Sequence, residues 1–342
     1  MRTKNSFITR SIHPGLFALA ALSGCSHSPA GSPDAPAATC QSACASGTPC
    51  QASELANLDG SSAVFSNLAV DDSGIYWANQ PKNTIVELGL GGGATTAMTT
   101  DQSDAFFVAV DASNVYWTVG DNIVDPNPNG AIRQVAKTGG AVTELATGQA
   151  TPQAIIADGA SVFWADYGRS GSEGSVMRRD LTASAPTKLA DADSPYTLAL
   201  DATDVYWTSY DSVMAVAKSG GTPRMVAYVD GALAGDVVIS GDTVYWDTQD
   251  PSGTGAITVW SAPSAGGTAV NVATVATGFS GLASGCDSVY WGTADSILRS
   301  TGGGSPQVVA SGISNLTSFV VVGDTETLFW TQGNTSVDTL AP

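Results

Sequence analysis

A tripeptide of the form Val/Ile/Leu–Tyr/Phe–Trp recurs seven times in this chain, and the recurrence limits the fold more than any other feature. The tryptophans of the seven copies are Trp77, Trp117, Trp164, Trp207, Trp246, Trp291 and Trp330. They are spaced from 39 residues (Trp207 to Trp246) to 47 residues (Trp117 to Trp164) apart. A regular period of this length indicates one small structural unit per copy, which buries its apolar faces only against its neighbours.

Each unit reads as four short strands, here called a to d. In the fourth unit, strand a is "TLAL" (197–200), strand b is "VYWT" (205–208), and a turn containing Asp joins them. Strand c is centred on a small or β-branched residue, and a glycine-rich turn usually leads from it to strand d. Four-stranded units with this period are typical of a β-propeller.

The two ends of the chain complement each other. The seventh hairpin is followed only by "TSVDTLAP" (335–342), which supplies a strand c and no strand d. An unassigned strand of the d type, "ASELAN" (52–57), precedes the first hairpin. We therefore predict an all-β fold, a seven-bladed propeller over residues 52–342 closed by pairing of the N-terminal strand with the C-terminal blade, which removes the open sheet edges. Six blades, with one degenerate copy outside the ring, is the alternative.

The aromatic pair and the Asp turn both have structural interpretations. Adjacent strand residues face opposite sides of a sheet, so Tyr206 and Trp207 should pack into the gaps on either side of their blade. Asp favours tight turns because its side chain bonds the backbone two residues on. Recurrence in nearly every unit marks these Asp residues as scaffold; they are Asp71, Asp111, Asp158, Asp201 and Asp324, with Asp242 and Asp287 shifted.

The sequence "VYWT", at 115–118 and 205–208, resembles the repeats of YWTD-type β-propellers and, more loosely, NHL-type ones. The resemblance covers roughly residues 52–342 and implies the fold. The Asp that follows Tyr-Trp-Thr in the family is replaced in most units, and only Asp166 occupies its place. YWTD propellers usually have six blades, so the match is one of repeat style.

Residues 1–24 have the pattern of an export signal. A basic start is followed by the short apolar run "LFALAAL" (16–22) and then by Leu22-Ser23-Gly24-Cys25, which resembles the bacterial lipobox. The resemblance implies that Cys25 carries diacylglycerol. Ser26, where Asp would favour retention, resembles the pattern of outer-membrane sorting. We therefore predict a lipid-anchored protein of the cell envelope, with its domain in the periplasm or at the cell surface.

The segment 25–51 joins this anchor to the repeats. Residues 26–39 are rich in Pro, Ala and Ser and predict a disordered tether, which a Cys-rich stretch follows. Four cysteines remain after Cys25, namely Cys40, Cys44, Cys50 and Cys286, and an even number in an exported protein favours two disulfides. Cys50 precedes the closing strand and Cys286 lies in an a–b turn at the same face. We therefore expect one of Cys40, Cys44 and Cys50 to pair with Cys286, and the other two to pair together.

Charge and histidine content narrow the functions. The chain has 31 acidic and 13 basic residues, a formal net charge of −18, and such a surface repels nucleic acid and anionic lipid. Its two histidines, His13 and His27, both precede the repeats. The repeats therefore contain no Ser-His-Asp or Cys-His pair and no imidazole ligand. This also departs from streptogramin-lyase-like propellers, which have a similar repeat style and rely on a histidine base.

Candidate binding residues lie where the units vary. Three b–c loops are long, and their candidates are Asp121, Asp125, Asp166, Tyr167, Glu173, Asp247 and Asp250. Residues near the start of strand a, at the mouth of the central channel, are Asn67, Gln153, Tyr196 and Asp236. Long loops on one face of a rigid scaffold commonly carry binding sites.

Two functions fit these residues. The first is a non-catalytic, membrane-anchored binding or scaffold module whose b–c loops contact an unknown protein or glycan. The alternative is a Ca²⁺-dependent hydrolase or lactonase with carboxylates near the central channel, because Ca²⁺ prefers oxygen ligands. We assign no catalytic residue, no metal site and no cofactor, with Ca²⁺ entering only under the alternative. We expect a monomer that touches the membrane through its lipid anchor alone.

Overall fold

The computed structural model describes residues 52–58, 67–120, 127–169, 173–250, 255–276, 278–323, 326–333 and 336–340. The predicted signal peptide, the tether, Cys25 and the three cysteines of the segment 25–51 lie outside these residues. Asp121, Asp125 and Asp324 also lie outside them.

The described residues form seven four-stranded antiparallel sheets, so the predicted seven-bladed propeller is confirmed. Blade 1 contains β2 (Ala69–Asp71), β3 (Gly74–Asn79), β4 (Thr84–Leu88) and β5 (Thr96–Ala97). Blade 2 contains β6 (Ala105–Val110), β7 (Asn114–Val119), β8 (Gly130–Ala136) and β9 (Thr143–Gln149). Blade 3 contains β10 (Pro152–Ala157), β11 (Ser161–Asp166), β12 (Gly174–Asp180) and β13 (Thr187–Ala192).

The remaining blades repeat this order. Blade 4 contains β14 (Leu198–Leu200), β15 (Asp204–Ser209), β16 (Ser212–Ala217) and β17 (Arg224–Tyr228). Blade 5 contains β18 (Leu233–Ser240), β19 (Thr243–Gln249), β20 (Ile257–Pro263) and β21 (Val270–Val275). Blade 6 contains β22 (Leu282–Ser284), β23 (Ser288–Gly292), β24 (Ser296–Thr301) and β25 (Gln307–Ser311). Blade 7 contains β26 (Leu316–Val322), β27 (Thr327–Gln332), β28 (Ser336–Leu340) and β1 (Ser53–Asn57).

Blade 7 closes the ring as the sequence predicts. Strand β1 pairs antiparallel with β28, with Ser53 opposite Thr339 and Asn57 opposite Ser336. The N-terminal strand therefore serves as strand d of the last blade. Both ends of the repeat array are held by the same backbone ladder, which leaves no unfinished blade.

The Tyr-Trp pairs fill the gaps between blades. All seven repeat tryptophans are at most 1% exposed. Tyr76 of blade 1 packs in one cluster with Trp117 of blade 2, and Phe329 of blade 7 packs with Trp77 of blade 1. The same arrangement joins Tyr206 to Trp246, Tyr245 to Trp291 and Tyr290 to Trp330. Each gap thus holds the Tyr or Phe of one blade and the Trp of the next, which confirms the structural interpretation of the pair.

Helical structure plays little part in the described chain. Gln80–Lys82 forms one turn of 3₁₀ helix after β3. No helix among the described residues is long and apolar enough to cross a bilayer.

Cys286 lies in the connection between β22 and β23 and is 5% exposed. This places it in the a–b turn of blade 6, as expected. Because the other cysteines lie outside the described residues, its predicted disulfide stays a prediction.

Candidate functional site

The propeller has two faces, which we call the turn face and the loop face. The turn face carries the a–b and c–d connections, among them 72–73, 111–113, 158–160, 201–203, 241–242 and 285–287. The loop face carries the b–c and d–a connections, among them 80–83, 98–104, 167–169, 193–197, 210–211, 229–232 and 293–295. Carboxylates occur on both faces, but their contacts differ.

Several turn-face carboxylates are bonded within the protein, as Asp111 and Asp201 show. Oδ1 of Asp111 accepts the N–H groups of Ser113 and Asn114, both at 2.8 Å, and its Oδ2 accepts the Tyr116 hydroxyl at 2.7 Å. Asp201 makes the same set of contacts in blade 4, including the hydroxyl of Tyr206 at 2.7 Å. The interpretation as scaffold is confirmed for Asp111 and Asp201, and for Asp71 and Asp158, which also accept an N–H of their turn. Asp242 and Asp287, in the shifted positions, are exposed.

The hydroxyls of Tyr116 and Tyr206 therefore have a role that the sequence pattern did not reveal, because each donates a hydrogen bond to the turn Asp of its own blade. Burial would raise the pKa of Asp201, but the hydrogen bonds from Tyr206, Asp204 and Thr203 outweigh it and lower that pKa. The ionised form of this carboxylate is therefore part of the folded structure.

Basic side chains neutralise part of the same face and stack on its rings. Each of three Lys or Arg side chains bonds a carboxylate and lies over an aromatic ring. They are Lys137, bonded to Asp71 and 5.1 Å from the Tyr76 ring centre; Lys218, 3.0 Å from Asp158 and 5.9 Å from the Phe163 ring; and Arg224, 2.9 Å from Asp204 and 5.7 Å from the Tyr206 ring. These contacts combine an ion pair with a cation–π interaction.

A cavity of about 380 Å³ opens between the inner strands of blades 1, 2 and 3. Its lining runs along 67–71, 108–112 and 155–159. The titratable residues of this lining are Asp71, Asp111 and Asp158, each of which already bonds turn backbone and a Lys or Tyr. The cavity is large enough for a small molecule but presents no uncommitted reacting group.

One position near the start of strand a, two residues before the residue paired with the repeat Tyr, bonds to the next blade. Asn67 accepts the Val108 N–H at 2.9 Å and donates to the Val108 carbonyl at 2.8 Å. Thr197 accepts the Val237 N–H at 3.1 Å. Asp236 occupies the equivalent place in blade 5, and its Oδ2 accepts the Leu282 N–H at 3.3 Å. Asn67 and Asp236, both predicted at the channel mouth, are at most 4% exposed, and each bonds the neighbouring blade. Asn67 also lines the cavity between the inner strands.

The residue after the repeat Trp satisfies a second backbone group. Strand a bulges near its start in several blades, and one N–H there loses its partner in strand b. The Thr118 hydroxyl accepts this N–H from Phe107 at 3.1 Å, and Oδ1 of Asp247 accepts it from Asp236 at 2.7 Å. Asp247 therefore replaces a threonine hydroxyl with a carboxylate.

These two positions bring Asp236 and Asp247 together as a buried carboxylate pair, 4% and 5% exposed. Burial and the charge of Asp247 raise the pKa of Asp236 well above its usual value. Burial raises the pKa of Asp247 to about 7. Two neighbouring buried carboxylates resist double ionisation, so the pair retains a proton at neutral pH.

The structure corrects the placement of two predicted loop residues. Asp166 ends strand β11 and Asp247 lies inside β19, and both are buried. Strand b extends past the Trp because β19 pairs with β20 as far as Gln249. The b–c loops therefore begin later than the sequence suggests.

The other described candidates remain near the loop face. Glu173 is exposed, and Asp250, Tyr167, Gln153 and Tyr196 are half-buried. Within the described residues, no group of three His, Cys, Asp or Glu side chains converges to hold a metal ion.

Exposed aromatic residues at the loop end of blade 4 were missed. Tyr210 forms the b–c connection with Asp211 and is 46% exposed; Tyr228 ends β17 and is 47% exposed. The Asp211 carbonyl accepts the Val229 N–H at 2.9 Å, which holds the two segments together. The available signal was "SYDS" (209–212), in which a Tyr occupies a two-residue turn.

Carboxylates accompany both rings. The Tyr228 hydroxyl donates to Oδ1 of Asp230 at 2.8 Å. This hydrogen bond raises the pKa of Tyr228, and the negative charge of Asp211 acts in the same direction. The loop end of blade 4 thus presents two rings and two carboxylates to solvent.

Comparison with known proteins shows the fold and no family. No protein-family model matches the chain, and no curated protein matches its sequence. A streptogramin B lyase structure aligns with a TM-score of 0.66 at 13% identity, covering 85% of this chain and 97% of the other. YCF48 bound to D1 peptide aligns with a TM-score of 0.59 at 14% identity, covering 90% and 99%. A gluconolactonase from Xanthomonas campestris aligns with a TM-score of 0.52 at 13% identity, covering 87% and 96%.

At these identities the likeness extends to the fold alone. Two of these structures are named as enzymes, and the third is a protein bound to a peptide. The fold therefore does not indicate whether this protein catalyses a reaction or binds a partner. Together with the seven described sheets, the comparisons identify the chain as a β-propeller protein.

Proposed function

We propose that this protein is a non-catalytic binding or scaffold module of the bacterial cell envelope, whose loop face contacts a protein or glycan. One observation carries the proposal. Aromatic rings of the turn face are buried and bonded internally, whereas Tyr210 and Tyr228 of the loop face are nearly half exposed. Exposed aromatic residues on a rigid scaffold are typical of binding surfaces.

The proposed location rests on the N-terminal sequence. Leu22-Ser23-Gly24-Cys25 supplies a lipid-anchor motif, and the segment 26–51 supplies a tether that lets the propeller reach a partner away from the membrane. The measurement is incorporation of labelled fatty acid into the wild-type chain and into Cys25→Ser. Labelling of wild type alone supports the anchor, and equal labelling of both chains contradicts it.

Site-specific photocrosslinking in the producing cell tests the binding face. A photoreactive phenylalanine analogue replaces Tyr228 on the loop face or, as the matched control, exposed Asp242 on the turn face. We expect discrete crosslinked products from position 228 and none from position 242. Products from position 242 alone would contradict the proposed binding face.

The buried pair Asp236 and Asp247 favours the alternative, a Ca²⁺-dependent hydrolase or lactonase. The pair holds a proton near neutral pH, as a general acid–base system requires. It supplies two carboxylates where Ca²⁺ takes six to eight oxygen atoms, so calcium binding would need further oxygen ligands such as backbone carbonyls, amide side chains or water. Lactone or ester turnover that is lost in Asp247→Asn and in the presence of a chelator would establish the enzyme and overturn the binding proposal.

A further inference from the structure

Each exposed tyrosine of blade 4 has an aspartate within two residues of it along the chain. Tyr210 is followed by Asp211, and the Tyr228 hydroxyl bonds Asp230. The negative charge of Asp211 also acts on Tyr228. Both rings are therefore part of one acidic patch, which we call the blade 4 patch and define as Tyr210, Asp211, Tyr228 and Asp230.

The same protein shows what this combination binds. On the turn face, a ring and a carboxylate together hold the cationic end of a Lys or Arg side chain in three places. The rings belong to Tyr76, Phe163 and Tyr206, and the cations to Lys137, Lys218 and Arg224. Ring and carboxylate attract a cation by different means, the quadrupole of the ring and the charge of the carboxylate, so their effects reinforce each other.

The charge around the blade 4 patch favours the same kind of occupant. The described loop-face connections carry two basic residues, Lys82 and Arg169, and the acidic residues Asp101, Asp104, Glu173, Asp193, Asp211, Asp230, Asp250 and Asp295. Such a field attracts a cationic partner and repels a polyanion. A neutral glycan could stack on the rings but would gain nothing from the charge.

The backbone conformation of Tyr210 is unusual for a residue with a large side chain. Tyr210 has φ 51°, the left-handed region that Gly or Asn occupies at lower cost. A large aromatic side chain held there, and left 46% exposed, gains little from burial. The exposed ring is accessible to a ligand at this position.

We propose that the blade 4 patch binds Lys or Arg side chains of a basic polypeptide partner. The ammonium or guanidinium group lies over the ring of Tyr210 or Tyr228 and pairs with Asp211 or Asp230. This inference rests on the proposed function, in which the loop face is the binding face, and it adds the chemical class of the partner.

Titration with defined probes tests the inference. The full chain is titrated with a fluorescein-labelled lysine–glycine peptide, with a glutamate–glycine peptide of equal length and with a neutral oligosaccharide. The variants are Tyr210→Asn, which removes the ring and suits the left-handed backbone, and the double variant Asp211→Asn/Asp230→Asn. The control, Asp242→Asn/Asp287→Asn, removes two exposed turn-face carboxylates and so changes the net charge equally.

We expect the lysine peptide to bind, with affinity that falls as salt is added. Tyr210→Asn should weaken binding about threefold and the blade 4 double variant about tenfold, against less than about twofold for the control. Equal weakening by both double variants would show attraction by net charge alone and overturn the inference.

Two further outcomes separate the inference from the proposed function. Binding of the oligosaccharide, lost in Tyr210→Asn, with no binding of the lysine peptide would overturn the basic partner and leave the loop face as the binding face. If neither the lysine peptide nor the oligosaccharide binds, and crosslinks arise from the turn face alone, both the inference and the proposed binding face would be overturned.

Discussion

The turn face and the loop face of this propeller contain similar residues in opposite roles. At Asp201 of the turn face, two backbone N–H groups and the Tyr206 hydroxyl hold the carboxylate within the fold. At Asp230 of the loop face, the contact is with the hydroxyl of Tyr228, which is 47% exposed. An Asp–Tyr pair is thus structural where it is buried and repeated, and available to a ligand where it is exposed and occurs in one blade. Position in the fold, and not residue type, separates the two.

The largest expected effect is on the turn face between blades 6 and 7. Glu326 is 2% exposed and accepts the Cys286 N–H at 3.0 Å, the Tyr290 hydroxyl at 2.7 Å and the Arg299 guanidinium at 3.3 Å. Glu326→Ala leaves all three donors buried, so the free energy of unfolding in urea should fall by about 3 kcal/mol or more. The control is exposed Glu173→Ala on the loop face, with a change below about 0.5 kcal/mol. Equal losses of unfolding free energy in the two variants would mean that carboxylates of the two faces contribute equally to stability.

A smaller effect is expected from the stacked lysine of blade 2. Lys137→Met removes the bond to Asp71 and the cation over Tyr76, where the Lys137 side chain is 11% exposed. The free energy of unfolding should fall by about 1–2 kcal/mol. The matched change Lys188→Met breaks an ion pair whose lysine is 54% exposed, and it should cost less than about 0.5 kcal/mol. A larger loss at Lys188 would contradict the assignment of the turn-face cations as structural.

The carboxylate pair of blade 5 predicts a pH effect of opposite sign to that of the turn face. The folded-state pKa values of Asp236 and Asp247 are raised, so the folded protein keeps a proton that the unfolded chain has lost. Their contribution to stability is fully present below about pH 4 and is lost as the pH rises towards about 7. Turn-face carboxylates such as Asp71 and Asp201 have lowered pKa values, so their contribution is lost as the pH falls.

Asp236→Asn isolates this effect. Asn67 shows that an amide in this position both accepts from and donates to the neighbouring strand. The variant should therefore unfold with a free energy about 1–3 kcal/mol higher than wild type at pH 8, and the gain should vanish near pH 4. Urea titrations across this range measure it. A loss of stability at pH 8 would mean that the pair is ionised and bound to a cation in the folded protein.

The smallest effect on stability is expected for Tyr210→Asn, the variant that should weaken binding of the lysine peptide. Tyr210→Asn relieves a left-handed tyrosine and should leave the free energy of unfolding unchanged or raise it by up to about 1 kcal/mol. A thermal melt measures the change. A clear loss of stability would show that the Tyr210 ring packs as part of the fold and does not serve a ligand.

The fold could be predicted because its determinants recur. Seven tryptophans at a regular spacing define the blades, and the incomplete last unit defines the closure. The contact between Asp236 and Asp247 could not be predicted, because it depends on a β-bulge that shifts the register of β18 against β19. The spacing of the repeats gives no information about where such a bulge occurs. Strand b also continues past the repeat Trp because it pairs with strand c, which is why Asp166 and Asp247 were placed in loops and are in fact buried.

The blade 4 patch escaped prediction for a different reason. Tyr210 and Tyr228 do not belong to the repeated pattern. The segment "SYDS" (209–212) marks the turn that carries Tyr210, but nothing in the sequence distinguishes Tyr228 from the aromatic residues that pack between blades. The exposure of both tyrosines follows from a two-residue connection after β15 and from the end of β17, both visible only when the strands are placed. A feature that occurs in one blade cannot be found from the pattern that the blades share.

A paired measurement on Asp201→Ala and Asp230→Ala tests the difference between the two faces most directly. For each variant we would measure the free energy of unfolding in urea, and the yield of crosslinked product in the cell from a photoreactive residue at position 228. Asp201→Ala should lose about 2–3 kcal/mol of stability, with an unchanged crosslink yield per folded molecule. Asp230→Ala should lose less than about 0.5 kcal/mol and most of the yield. The reverse pattern, with Asp230 needed for stability and Asp201 for crosslinking, would contradict the account.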